Sequence, residues 1–238
     1  MPLSLRAISL DAAGTLFHPI RPIGRLYADV AARHGMRLDV SELHGRFQRA
    51  FGVAPPLAFP PAPAPETRRR ERAWWYAVVS EVFHGIAVPD FDAYFADLFE
   101  TFAKADTWTP APHALPLLRA IRARGLRALV VSNFDARVRG ILDGLAMTPW
   151  IDAVTISSEA GAAKPDPAIF RVALTTSGLA PADVLHVGDT VREDWAGARA
   201  AGIRVLLVGG PDLRRDAPGA DVVPTLAEVQ SWIDRPPT

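Results

Sequence analysis

The 238-residue chain contains no cysteine and only two lysines, Lys104 and Lys164. The absence of cysteine excludes disulfide bonds, thiolate metal sites and thiol nucleophiles. The 26 basic and 26 acidic residues cancel, so no basic field favours nucleic acid or an anionic membrane surface as a partner. Because the apolar runs are short and the N-terminus has no signal-peptide pattern, we expect a cytoplasmic protein that acts on a small molecule.

The chain alternates between strand-length apolar runs and helical patterns at its start and again after residue 106. Strand-length runs lie at 5–10, 127–131, 153–156, 184–187 and 204–208, and helical patterns lie at 115–124, 136–145, 167–176 and 195–201. Such alternation is typical of βαβ units, in which helices cover both faces of a parallel sheet. We therefore predict an α/β fold built on a mostly parallel sheet.

The block from residue 17 to residue 105 differs, because its apolar residues recur at helical spacing. We predict no strand in this block. We interpret its proline-rich run at 55–65 as a loop between helices, since successive prolines exclude helix. Trp74 and Trp75 follow the helical spacing, so we expect them to belong to a helical core rather than to a stacking platform.

Polar residues follow the carboxyl ends of the predicted strands, where parallel sheets bind their ligands. They are Asp11 and Thr15 after the first strand, Ser132 and Asn133 after the second, Lys164 before a later helix, and Asp189 and Asp194 after another strand. Three carboxylates at one sheet edge repel each other strongly unless a cation is present. Mg²⁺ prefers oxygen ligands, and Lys164 would add a charge that neutralises phosphate oxygens. The pattern indicates phosphoryl transfer.

In order and spacing, these residues resemble the four motifs of the haloacid dehalogenase superfamily. The matching segments are Asp11-Ala12-Ala13-Gly14-Thr15, Val130-Val131-Ser132-Asn133, Lys164-Pro165-Asp166, and Gly188-Asp189 with Asp194 downstream. The resemblance covers the whole chain and is to subfamily IA, whose cap is an inserted α-helical bundle. It implies a Rossmann-like core at 1–16 and 106–238 and a helical cap at 17–105.

The same resemblance implies roles for individual residues. The implied catalytic residues are Asp11, Ser132 and Lys164, the implied substrate-binding residues are Thr15 and Asn133, and the implied metal ligands are Asp11, the Ala13 carbonyl, Asp189 and Asp194. Asp11 would be the nucleophile that forms an aspartyl-phosphate. We expect Asp194 to act through water or by orienting Lys164. The implied protein is a Mg²⁺-dependent phosphatase of a small phosphorylated metabolite. Separately, we expect a monomer or a homodimer.

One position departs from the family pattern. In most of these phosphatases the second aspartate of the first motif protonates the leaving alcohol, but this chain has Ala13 there. A methyl group transfers no proton, so general acid–base assistance, commonly worth about 10²–10⁴ in rate, is lost or relocated. His18 follows shortly after and can take that role, although an ordinary linker histidine is the simpler interpretation.

Ala13 leaves three further functions open. Phosphonoacetaldehyde hydrolases carry the same Asp-x-Ala-Gly-Thr motif, but they use a cap lysine, and no lysine precedes Lys104 in this chain. 2-Haloacid dehalogenases also lack the second aspartate, but they use no metal and lack the carboxylate that Asp189 provides. A weakened member of the family can also bind a phosphorylated metabolite or a protein partner without turnover. The sequence does not choose among these three.

Overall fold

The computed structural model describes residues 5–233 and has a parallel sheet at its centre. The strands are β1 (Ala7–Leu10), β2 (Phe17–Pro19), β3 (Trp108–Pro110), β4 (Arg127–Ser132), β5 (Ala153–Ile156), β6 (Val184–Gly188), β7 (Arg204–Val208) and β8 (Asp221–Val223). Six of them form one sheet in the order β5-β4-β1-β6-β7-β8, and every neighbouring pair is parallel. The predicted Rossmann-like α/β fold is confirmed.

Helices after residue 110 cover both faces of the sheet, and four earlier helices form a separate group. The helices are α1 (Ile23–Arg33), α2 (Val40–Val53), α3 (Ala64–Val82), α4 (Phe91–Ala103), α5 (Ala114–Ala123), α6 (Val138–Gly144), α7 (Ser157–Ala160), α8 (Pro167–Ser177), α9 (Gly197–Ala200), α10 (Asp212–Asp216) and α11 (Leu226–Ile233). Alternate strand residues enter different buried clusters, as Ile8 and Val130 do on one face and Ala7 and Leu129 on the other. This two-residue period explains why the strands are almost continuously apolar.

Helices α1–α4 form a separate bundle, which we call the cap, around their own buried aromatic and aliphatic cluster. The proline-rich loop is confirmed: α2 ends at Val53, α3 begins at Ala64, and Pro65 lies in the first helical turn, where proline is tolerated. Trp74 and Trp75 pack against the cap cluster, as expected, but both also line a cavity. Helical spacing did not predict that these two side chains line a cavity.

The prediction of no strand in the helical block is wrong at one place. Residues Phe17–Pro19 form β2, which pairs antiparallel with β3 at the two points where the chain passes between sheet and cap. Three residues ending in proline carry too little periodicity to indicate a strand. The ring of Trp108 on β3 packs edge-on against Phe17 on β2, with centroids 5.2 Å apart.

Strand β1 lies between β4 and β6, so the residues that follow these three strands meet at one sheet edge. The chain leaves β1 at Asp11, β4 at Ser132 and β6 at Gly188. This is the topological switch point of the sheet, at which open α/β folds bind ligands. None of the helices in residues 5–233 has the length and apolar character needed to cross a membrane.

Candidate active site

Asp11 directly follows β1, and its side chain is buried at the sheet edge. Its backbone N–H donates to Val187 on the neighbouring strand at 2.9 Å. The chain then turns through Gly14, whose φ of 105° is strained for other residues. A Cβ at Gly14 would also lie 2.7 Å from the Asp189 carboxylate. The glycine of the first motif therefore lets the Asp11 turn and Asp189 approach each other.

Lys164 is buried and joins two carboxylates. Its Nζ donates to Asp11 Oδ1 and to Asp194 Oδ1, both at 2.6 Å. Burial disfavours the charged amine, but the two adjacent carboxylates outweigh it and hold the pKa of Lys164 above its usual value. Asn133 fixes the lysine's backbone, because its side-chain amide donates to Lys164 O and accepts from Lys164 N at 2.9 and 2.7 Å.

Asp194 is buried, and both of its carboxylate oxygens are occupied. Oδ1 accepts from Lys164 and faces His186 Nε2 at 3.1 Å, while Oδ2 accepts from Asp189 N, Thr190 N and Thr190 Oγ1. Burial raises the pKa of this carboxyl, but the Lys164 charge and the His186 hydrogen bond outweigh it and hold the pKa well below its usual value. These bonds favour the orienting role for Asp194.

Asp189 follows β6 and is only partly buried. Thr15 Oγ1 donates to its Oδ1 at 2.9 Å, so this threonine orients the Asp189 carboxylate, and its predicted contact with substrate stays a prediction. Burial, together with repulsion from Asp11 and Asp194, raises the pKa of Asp189 to about 6. Within residues 5–233 no lysine or arginine forms an ion pair with Asp189. Its charge is the least compensated of the three.

The donor set fits a divalent cation with oxygen ligands. Asp11, Asp189 and Asp194 each offer a carboxylate oxygen, and these atoms lie within 4.8 Å of one another. Lys164 pairs with two of the carboxylates, which leaves Asp189 facing a net negative environment. A hard cation such as Mg²⁺ would relieve this repulsion. Carboxylates and the oxygens of a substrate phosphate would both be its ligands.

A cavity of about 880 Å³ opens between the cap and the sheet edge. Five of the residues predicted for the site line it: Asp11, Ala13, Ser132, Asn133 and Lys164. Thr15, Asp189 and Asp194 lie behind them and contact the wall residues or one another. His18 on β2 also lines the cavity, so it is not an ordinary linker histidine.

Comparisons with known proteins agree with this geometry. A family model described as haloacid dehalogenase-like hydrolase matches residues 5–202. The chain belongs to the haloacid dehalogenase-like hydrolases. It is 35% identical over 240 residues to human haloacid dehalogenase-like hydrolase domain-containing protein 3, with 98% of this chain and 95% of the relative covered.

Two further similarities concern proteins named as phosphatases. A phosphoserine phosphatase from Thermus thermophilus is 38% identical over 114 residues, which cover 43% of this chain and 46% of that protein. The crystal structure of a haloacid dehalogenase phosphatase from Thermococcus onnurineus superposes with a TM-score of 0.67 at 21% identity, covering 97% and 98% of the two chains. At that identity the structural likeness shows the fold of this hydrolase alone.

Polar side chains that the motifs do not include tie the cap to the core of this hydrolase. Trp75 Nε1 on α3 donates to buried Asp135 at 2.6 Å, and Arg137 holds the same carboxylate with two further bonds. Glu71, also on α3, accepts from Ser158 Oγ at 2.6 Å. Burial raises the pKa of Glu71. The loop after β4 thus supplies both Asn133 at the site and the anchor for the cap.

His186 contacts the site residue Asp194, and the sequence did not predict this contact. It occupies the middle of β6, where its imidazole lies between Ser9 Oγ at 2.8 Å and Asp194 Oδ1 at 3.1 Å. A histidine in a strand that is otherwise apolar, two residues before the fourth motif, is the signal that could have indicated it. Ser9 and Asp194 orient the imidazole. The imidazole in turn supports the Asp194 carboxylate, which holds the Lys164 amine.

Proposed function

We propose that this hydrolase is a Mg²⁺-dependent phosphatase that forms an aspartyl-phosphate on Asp11 and acts on a small phosphorylated metabolite. The observation that carries the proposal is the buried chain Asp11–Lys164–Asp194, with both N–O distances at 2.6 Å. It keeps a carboxylate nucleophile beside a fixed positive charge in the wall of a cavity. The phosphoserine phosphatase that is similar to 43% of this chain supports the same class of reaction.

In the first step an Asp11 oxygen attacks phosphorus, and the ester oxygen leaves with the electron pair of the broken bond. Lys164 neutralises charge on the phosphoryl oxygens, and the Ser132 hydroxyl donates to one of them. In the second step water attacks the phosphorus of the adduct, which releases inorganic phosphate and restores the Asp11 carboxylate.

The remaining site residues orient these groups. Asp194 holds the Lys164 amine in place, and Thr15 holds Asp189. When bound, Mg²⁺ would be held by Asp11, the Ala13 carbonyl and Asp189, and would supply further positive charge beside the phosphoryl oxygens. Because two of these three ligands are carboxylates on different loops, the cation would also stabilise the folded state.

Mg²⁺ is expected to raise the Tm of the protein more at about pH 7.5 than at about pH 5. The folded-state pKa of Asp189 is about 6, above its ordinary value of 3.8. Below that pKa a proton occupies the carboxylate and competes with the cation, whereas above it the ligand is free. Thermal unfolding with and without Mg²⁺ at both pH values measures the difference.

Asp189→Asn is the control for this experiment, because the amide keeps the shape of the ligand and does not titrate. We expect its Tm to respond weakly to Mg²⁺ at both pH values. An equal Mg²⁺ effect at both pH values in the unmodified protein would contradict the proposed ligand set.

Ala13→Asp is expected to raise kcat about 10- to 100-fold for phosphate esters of alkyl alcohols. The introduced carboxyl would protonate the leaving oxygen in the first step and accept a proton from water in the second. Ala13→Asn is the matched control, because it adds nearly the same volume without a transferable proton. A similar rate increase in both variants would show that the rate is not limited by the missing acid–base group at position 13.

His18 is the residue available for proton transfer in the unmodified chain. It lines the cavity, and burial lowers the pKa of its imidazole. A neutral imidazole accepts a proton more readily than it donates one. We therefore propose that His18 assists the attack of water on the adduct rather than the departure of the alcohol.

A phosphate-release screen over phosphorylated metabolites, with and without Mg²⁺, tests the proposed function. We expect Mg²⁺-dependent release that Asp11→Asn abolishes. Turnover no greater than that of Asp11→Asn would overturn the proposal and favour a member that binds its ligand without turnover. A cytoplasmic location and a monomeric or homodimeric state stay predictions.

The same protein preparation tests for dehalogenase and phosphonoacetaldehyde hydrolase activity. Halide release from 2-haloacids without metal would indicate a dehalogenase. Borohydride trapping with phosphonoacetaldehyde would indicate an imine-forming lysine. Lys104, at the end of α4 in the cap, is exposed and is not a wall residue of the cavity. The Lys164 amine does line the cavity, but its ion pairs with Asp11 and Asp194 keep it protonated, so we expect no trapping.

A further inference from the structure

The cavity has two chemically different ends. Every wall residue between Pro19 and Phe102, which is the part contributed by the cap and its connections, is apolar, aromatic or glycine. Charged wall residues come instead from the core: Asp11, Arg137, Lys164, Asp166, Arg192 and Glu193. A ligand that fills the cavity thus places its anionic group at the sheet edge and an apolar group in the cap.

Aromatic rings line the cap end of the cavity. Phe51 stacks with Phe47 and with Trp75 at centroid distances of 5.4 and 6.0 Å, and Trp74 meets Trp75 edge-on at 4.9 Å. The indole N–H of Trp74 donates to Pro55 O, and that of Trp75 donates to Asp135. Because these donors already have partners, the two indoles contribute apolar ring surface to the cavity wall.

Arg137, which lies beside these rings, is also engaged. It holds Asp135 with two hydrogen bonds and donates a third to Phe99 O, and its guanidinium lies 3.9 Å from the Phe99 ring centroid. It serves the cap–core contact rather than a second anionic group of a ligand. The volume of about 880 Å³ lies within the range of cavities that enclose drug-sized molecules.

The alanine at position 13 is a second, independent observation. It concerns the leaving group, which is the part of the ligand that would enter the cap. Without a general acid, the ester oxygen must leave as an anion. A phenolic oxygen, with a pKa of about 10 as in tyrosine, leaves unprotonated far more readily than an alkyl oxygen, whose pKa is close to the value of about 15.7 for water. The missing acid and the aromatic cavity therefore select the same kind of leaving group.

This inference rests on the proposed function. We propose that the substrate is a phosphate monoester of a phenol, and that the aromatic ring of the phenol binds in the cap end of the cavity. Asp11 attacks phosphorus, the bond between phosphorus and the aryl oxygen breaks, and the electron pair leaves on the phenolate, which takes a proton from water. Hydrolysis of the Asp11 adduct then releases phosphate. The net reaction consumes one water and yields a phenol and inorganic phosphate.

The test compares four phosphate esters with the Mg²⁺-loaded full chain: 2-naphthyl, phenyl, 2-naphthylmethyl and methyl phosphate. The naphthyl and naphthylmethyl esters have the same ring system but differ in leaving-group basicity, whereas the naphthyl and phenyl esters differ mainly in ring size. We expect kcat/KM for 2-naphthyl phosphate to exceed that for 2-naphthylmethyl phosphate by about 100-fold or more. This ratio should shrink in Ala13→Asp.

A binding measurement isolates the cavity from the chemistry. We expect 2-naphthylphosphonate, which cannot be hydrolysed, to quench tryptophan fluorescence and to bind about 10- to 100-fold more tightly than methylphosphonate. Phe51→Ala should remove most of that difference. Phe51 is 47% exposed, so its replacement does not endanger folding. Val53→Ala, on the same helix but 81% exposed and outside the wall, is the matched control.

The outcomes separate this inference from the proposed function. Asp11-dependent hydrolysis of methyl phosphate at a rate equal to that of the naphthyl ester, or equal binding of the two phosphonates, would overturn the inference and leave the phosphatase intact. Tight binding of 2-naphthylphosphonate without Asp11-dependent turnover of any of the four esters would overturn the phosphatase itself.

Discussion

We expect Asp11→Asn to lower the proposed phosphate release by about 10⁴-fold or more, the loss typical of removing a nucleophile. The amide has almost the same shape as the carboxylate but does not attack phosphorus. It also leaves the Lys164 amine with one anionic partner instead of two. Steady-state phosphate release with the most reactive ester, measured at saturating Mg²⁺, gives the rate.

Asp143→Asn is the control for this loss, because Asp143 is an exposed aspartate on α6. We expect it to keep the rate of the unmodified protein. A rate for Asp11→Asn within about tenfold of that value would show that another group attacks phosphorus or that water attacks directly.

Lys164→Met lowers the free energy of unfolding by about 3–5 kcal/mol at pH 7, the cost of leaving buried charges without their partner. The methionine fills similar space, but Asp11 and Asp194 then face each other without a cation between them. The same change removes the charge proposed to neutralise the phosphoryl oxygens, so we expect phosphate release to fall as well. Urea unfolding at constant Mg²⁺ measures the first effect, and the release assay measures the second.

The chain provides a matched control in its other lysine. Lys104 is exposed at the end of α4, and Lys104→Met is expected to change the free energy of unfolding by less than about 0.5 kcal/mol. An equal effect of the two substitutions would show that the ion pairs of Lys164 contribute no special stability.

Much of the site is predictable from the sequence because parallel strands bring their carboxyl ends to one edge. Asp11, Ser132 and Asp189 each follow an apolar run, so their meeting follows from the α/β pattern alone. The meeting of Lys164 with Asp11 does not follow from that pattern, since a loop can approach the edge in many ways. Its position was implied by the motif resemblance.

The finer roles of the polar residues depend on tertiary geometry. Thr15 and Asn133 lie in the expected place, but their side chains bond to Asp189 and to the Lys164 backbone. A hydroxyl or an amide bonds to whichever partner the fold brings within about 3 Å, and spacing along the chain does not select that partner. The substrate contacts expected of both residues stay predictions.

Elements outside the strong patterns were not predicted for a similar reason. Strand β8 has three residues, and β2 pairs only because the cap returns the chain beside it. The contact of Trp75 with Asp135 joins residues 60 positions apart, so no local sequence pattern predicts it. Helical spacing explained why Trp75 packs in the cap but not why it faces the cavity.

The most direct test of Asp11 as the nucleophile is mass spectrometry of the protein, intact and after proteolysis at acid pH, following acid quenching of its reaction with Mg²⁺ and the most reactive phosphate ester. We predict a covalent phosphate on the peptide that contains Asp11, accumulating because position 13 has no carboxylate to assist the attack of water and His18 replaces it incompletely. The adduct should be absent from Asp11→Asn and less abundant in Ala13→Asp. Turnover without any adduct, or an adduct on another residue, would contradict the account.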